Sequence, residues 1–78
     1  MRIVNQIGSI DLLYDLVIMS LEDNCILAYV VGEQNGGKFI MAEYSTPEKA
    51  NAEMNRLHRV YDMMNASVFQ FRADTEVA

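Results

Sequence analysis

The chain has 78 residues, of which 51% are hydrophobic, and its six Lys+Arg against eleven Asp+Glu give a net charge of −5. This leaves room for one domain, residues 1–78, built on one small core, and the apolar content excludes intrinsic disorder. The acidic balance argues against a nucleic-acid backbone or an anionic membrane surface as ligand, and is compatible with a basic partner.

Turn signals divide the chain. Arg2 to Asn5 reads as a short strand ending near Gly8, and Ile10 to Asp15 as an extended connector or a second short strand. Leu16 to Leu21 is a stronger strand, followed by the polar turn Glu22-Asp23-Asn24, where Asn24 tolerates the left-handed backbone of tight hairpins. Cys25 to Val31 is the next strand, rich in β-branched and aromatic residues. A loop over Gly32 to Gly37, with Asn35-Gly36 as hairpin signal, leads to a strand over Lys38 to Tyr44. The spacing predicts an antiparallel meander.

A helix over about 47–64 has the clearest markers. Ser45 and Thr46 offer an N-cap, Pro47 suits the first turn, and Glu48 lies three residues after Ser45. Ala50, Met54, Leu57, Tyr61 and Met64 recur at helical spacing and form the stripe expected to pack on the sheet, with Asn65 as the stop. Val68 to Arg72 then reads as a C-terminal strand with Phe69 and Phe71 on one side, and 73–78 as a frayed tail. The expected fold class is α+β: a mostly antiparallel sheet of three to five strands with one helix packed on one face.

The central strands do not alternate cleanly. Leu16 and Ile18 oppose Val17, Met19 and Leu21; Cys25, Leu27, Tyr29 and Val31 oppose Ile26, Ala28 and Val30; Ile40, Ala42 and Tyr44 oppose Phe39 and Met41. Both faces are therefore apolar, and one helix covers only one of them. The second face is expected to be buried in a homodimer or a complex, unless the N-terminal segment and last strand fold over it. Candidate partner-binding residues are Met19 and Met41 on the meander, Arg56, Arg59 and Met63 on the helix, and Glu22 and Asp23 in the acidic turn. For the helix, the plainer reading is a solvated face on which Glu53, Arg56, Arg59 and Asp62 form weak ion pairs.

Residues with chemical potential are isolated. The single cysteine, Cys25, cannot form an internal disulfide and reads as an inert strand residue, which makes a cytoplasmic location the default. His58 has only Asp62 at i+4, which falls short of a metal site. Asp11 and Asp15 flank Tyr14 and read as turn and edge residues, and Gly36-Gly37-Lys38 lacks the spacing of a phosphate loop. No catalytic, cofactor or metal residue is expected. Nor is a signal peptide or membrane span.

The opening Met1-Arg2-Ile3-Val4-Asn5-Gln6, Gly8, Ile10-Asp11-Leu12 and Tyr14-Asp15, with Tyr44-Ser45-Thr46-Pro47-Glu48-Lys49-Ala50 later, resembles a group of short proteins encoded by Firmicutes bacteria and by their phages and prophages. This chain departs from the group's pattern at Leu13, where a proline commonly precedes the tyrosine, and at Ile7, where a polar turn residue is usual. The resemblance carries no activity or cofactor. It implies a mobile-element context, in which small acidic proteins often act by occupying a host protein. The expected function is a non-enzymatic protein-interaction module. It would be a homodimer and, in its most concrete form, a stoichiometric inhibitor of a host defence or regulatory protein, similar to an anti-CRISPR. The rival expectation is a small accessory subunit stabilised by assembly.

Overall fold

The computed structural model describes residues 1–32, 37–63 and 66–77. The Asn35-Gly36 signal, Met64 of the helix stripe and the Asn65 stop lie outside the described residues. The fold is α+β, with the described strands divided between two sheets instead of one. The first sheet has the order β2-β1-β6, from Asp11–Leu13, Arg2–Val4 and Val68–Gln70. The second is the meander β3-β4-β5, from Val17–Glu22, Cys25–Val30 and Lys38–Glu43. Helix α1 runs Pro47–Met63, and short 3₁₀ turns cover Tyr14–Leu16 and Asp74–Glu76. The first turn is why the sheets separate. It takes Leu16 out of the expected strand and breaks the extended run between β2 and β3.

The β1–β2 turn is organised by Asn5, which is buried. Its Oδ1 accepts the backbone N–H groups of Ser9 (2.8 Å) and Ile10 (2.9 Å), and its amide donates to Ser9 Oγ at 3.0 Å. Gly8 takes φ +78° in this turn, a conformation costly to any residue with a Cβ. The β3–β4 turn is only two residues long, because Glu22 pairs with Cys25 inside the ladder. Asp23, not Asn24, adopts the positive φ of 55°. Asn24 instead ties the hairpin to the end of β5. Its side-chain amide donates to the Tyr44 carbonyl, and its own carbonyl accepts the Tyr44 N–H at 2.9 Å.

Alternation fails in β5 for a definable reason. The register passes from Ile26↔Ala42 to Leu27↔Ile40, so Met41 is an extra residue, a β-bulge. The sequence pattern places Ala42 with Ile40 on the face opposite Met41. The bulge turns both Met41 and Ala42 into the core and leaves Ile40 outside. The bulged Met41 carbonyl accepts the N–H of Gln6 at 3.0 Å. The Gln6 side chain continues the bridge between the two sheets. Its Nε2 donates to the carbonyls of Glu43 and Arg72 (3.1 Å each), and its Oε1 accepts the Glu43 N–H at 2.8 Å.

Thr46 is the N-cap of α1: its hydroxyl accepts the Lys49 N–H at 3.2 Å, and Pro47 opens the first turn. Ala50, Met54 and Leu57 are buried as the stripe requires, whereas Tyr61 is exposed beside Tyr14 of the 3₁₀ turn. One core joins Ile3 of β1, Ile26 and Ala28 of β4, Met41 and Ala42, the helix stripe, and Phe69 and Phe71. β6 pairs parallel to β1, Ile3 opposite Phe69, while the other described ladders are antiparallel. The tail expected to fray is packed. Val77 lies in the core, the Asp74 carboxylate accepts the Ser45 N–H at 2.7 Å, and Lys49 pairs with Asp74 at 3.3 Å.

Glu53 overturns the solvated-face reading of the helix for itself and for Arg56, whereas Arg59 and Asp62 are exposed. The Glu53 side chain is fully buried and accepts from Arg56 (2.7 and 3.0 Å), from Arg72 Nε (2.7 Å) and from the Arg72 N–H (2.9 Å). Burial alone would raise its pKa. The hydrogen bonds from Arg56, then from the Arg72 backbone and side chain, outweigh burial and hold the carboxyl at about 2. The Arg56 guanidinium also covers the Phe69 ring at 4.2 Å and donates to the Gln70 carbonyl at 2.8 Å. The cluster clasps α1 to the C-terminal strand.

Candidate interaction surface

Cross-strand register defines the outer face of the meander residue by residue. One row is Ile18, Tyr29 and Lys38; the next is Ser20, Leu27 and Ile40; the third is Glu22, Cys25 and Glu43. Helix α1 packs on the other face, against β3 and β4. Ile18 is 61% and Ile40 58% exposed, while Leu27, flanked by Ser20 and Ile40 on its own face, is 4% exposed. Exposed Leu16 and Val31, joined by a 3.0 Å hydrogen bond from Val31 N–H to the Leu16 carbonyl, extend the apolar strip past the strand ends. Ile18 and Ile40 thus stand exposed on one face, with Tyr29 and the buried Leu27 on the strand between them.

Charge on this face is polarised along the strands. Lys38 stands at one end, with its ammonium 6.0 Å from the Tyr29 ring. Glu22 and Glu43 stand at the other. The Glu22 carboxylate accepts from the Tyr29 hydroxyl at 2.7 Å and from the Ser20 hydroxyl at 3.2 Å, and the Tyr29 bond is the main reason its pKa lies below the usual range. Cys25 lies between the two carboxylates, and its thiol donates weakly to Glu43 at 3.6 Å. Partial burial, then the bond to Glu43 and that carboxylate's charge, raise the thiol pKa, the opposite of what a nucleophile needs.

The two edges of the meander also differ. Gln6 closes part of the β5 edge, as above. On β3, Val31 N–H bonds the Leu16 carbonyl, so by antiparallel alternation Leu16, Ile18, Ser20 and Glu22 bond inward to β4. The N–H and C=O groups of Val17, Met19 and Leu21 therefore point out of the sheet edge.

The residues singled out from sequence fall in different places. Met41 is core, and Met19 is half-buried against that core on the helix side, so neither lies on the outer face of the meander. Arg56 is turned inward onto Glu53 and Phe69. Arg59 and Met63 are exposed on α1, away from the meander's outer face. Of the acidic turn, Glu22 belongs to the outer face and Asp23 is exposed at the hairpin tip. Ile18 and Ile40, the exposed apolar residues of this face, were readable from alternation, but in β5 the Met41 bulge obscured which face was which.

His58 is exposed on α1, and Asp11 pairs with Arg2 across β1 and β2. Among the described residues there is no group of three or more His, Cys, Asp or Glu placed to hold a metal ion, and no helix is long and apolar enough to cross a membrane. A cleft of about 200 Å³ lies between Met1, Asp15, Tyr61 and Ala66, where the Tyr61 hydroxyl donates to Asp15 at 3.3 Å and its ring meets Tyr14 in a tilted contact, centroids 4.5 Å apart. Comparison with protein-family models, with curated proteins and with solved structures returned no match.

Proposed function

We propose that this chain is a non-enzymatic protein-interaction module of phage or mobile-element type that works by stoichiometric binding through the outer face of the meander. One observation carries the reading: Ile18 and Ile40 stand exposed on either side of Leu27 on a face that α1 does not cover. Transferring such a strip out of water stabilises a complex, and the flanking carboxylates add selection by charge. Inhibition of a host defence or regulatory protein is the most concrete version of such binding.

The test is affinity capture of the tagged chain from the cells that produce it, beside the variant Ile40→Asp. The expected result is a protein, a further copy of the chain or another polypeptide, held at fixed molar ratio by the wild type and released by the variant. A wild type that elutes alone, or a variant that keeps the same companions, overturns the reading. A second reading, a small structural subunit stabilised inside a larger assembly, is favoured by the outward N–H and C=O groups of Val17, Met19 and Leu21, which would accept a neighbouring strand.

A further inference from the structure

We infer that the occupant of the outer face is a second copy of this chain, related by a two-fold axis that runs across the strands in the plane of the interface. The inference rests on the interaction reading above and goes beyond it by naming the partner and its alignment.

The argument is one of charge and register. Two two-fold axes can lay this face on its own copy with the strands in line. The axis along the strands brings Glu22 over Glu43 of the second copy, twice, and leaves Lys38 over Ile18. The axis across the strands reverses the rows. It brings Lys38 over Glu43 of the second copy, twice by symmetry, and stacks Ile40 on Ile40, with the already buried Leu27 beneath the contact. It also puts Ile18 over Glu22. That carboxylate is already turned onto the Tyr29 hydroxyl at 2.7 Å, which leaves the aliphatic stem to meet Ile18. Only the second alignment is free of like-charge contacts, so the polarity of the face specifies one self-association geometry.

The size of the face sets the strength. Three strands about 4.8 Å apart and five or six residues long at about 3.4 Å each present a patch of roughly 14 by 18 Å. That is well below a standard interface, so the dimer is a weak, readily dissociating one.

The experiment is a charge exchange read by light scattering from about 10 µM to about 1 mM, the range such an interface calls for. Lys38 and Glu43 are both exposed, and Gln6 holds only the backbone of Glu43, so Lys38→Glu and Glu43→Lys leave the fold intact, as circular dichroism would register. Each single variant should weaken the dimer at least about tenfold, and the double variant should return to within about threefold of wild type. Ile40→Asp should be monomeric throughout. A monomeric wild type across the range overturns the inference but leaves the interaction reading standing if capture still finds another protein. A dimer that the double variant does not restore overturns the alignment, and one that survives Ile40→Asp overturns the face.

Discussion

Arg72 donates to both oxygens of Glu53, from its Nε to Oε1 at 2.7 Å and from its backbone N–H to Oε2 at 2.9 Å. A side chain from the middle of α1 thereby fixes the course of the chain as it leaves β6. Arg56 supplies the remaining donors, so the buried carboxylate is saturated and its negative charge is shared between two cations.

Removing that carboxylate should be severe. Glu53→Ala leaves two guanidinium groups and a backbone N–H without their acceptor, and should cost about 3–5 kcal/mol, a large part of the stability of so small a domain. Glu53→Gln keeps the volume but turns an amide donor towards a guanidinium, and should cost somewhat less. Urea midpoints of the two variants against wild type check this, with Arg59→Ala, on the exposed side of α1, near zero as control.

Acid should release the same clasp. The folded carboxyl of Glu53 is held at about 2 against an ordinary 4.5. A depressed folded pKa gives stability that is fully present above about pH 4.5 and is lost as pH falls towards 2. Its full size is about 3 kcal/mol. Asp74, held down chiefly by the Ser45 N–H, contributes in the same direction. Thermal midpoints between pH 6 and pH 2 should fall in wild type and fall much less in Glu53→Gln.

Neighbours in β5 should respond oppositely to one charge. Met41→Lys places an ammonium in the core and should unfold the domain at room temperature, whereas Ile40→Lys should leave it folded with a midpoint shift of less than about 1 kcal/mol. Circular dichroism with urea titration separates the two.

Val77 should matter although it is next to last in the sequence. Val77→Ala removes buried apolar volume and should cost about 1.5 kcal/mol, while exposed Thr75→Ala should cost close to nothing. Parallel denaturant melts of the two variants measure the difference.

Gln6→Ala should loosen the seam between the sheets. Three hydrogen bonds go with the side chain, to Glu43 twice and to Arg72 once, and the expected loss is about 2 kcal/mol. Amide exchange at Glu43 should accelerate well before exchange at Ile26 in β4 does.

How much of this was legible depends on how local the cause is. The helix start at Thr46-Pro47, the short turn between β3 and β4, and the alternation of Phe69 and Phe71 all arise within a few residues, and the pattern shows them. The Met41 bulge carries a carbonyl that bonds Gln6, thirty-five positions away, a partner the alternation of β5 alone does not reveal, so that alternation misassigned Ala42. Glu53 read as a surface residue because its cations, Arg56 and Arg72, meet it only once α1 lies beside the C-terminal segment. Val77 read as tail because the reason for its order is distant: Asp74 reaches back to Ser45 and Lys49. The interaction surface was legible as an excess of apolar strand, but its membership followed only from register.

The parallel pairing of β1 with β6 bears on how the molecule is made. During synthesis the first strand leaves the ribosome long before its neighbour, and until Phe69 arrives Ile3 has no cross-strand partner on that side. The meander, whose ladders close between near neighbours in sequence, can assemble ahead of it. A nascent chain interrupted after α1 would therefore carry a formed hairpin sheet beside an unfinished one, with Glu53 still waiting for Arg72.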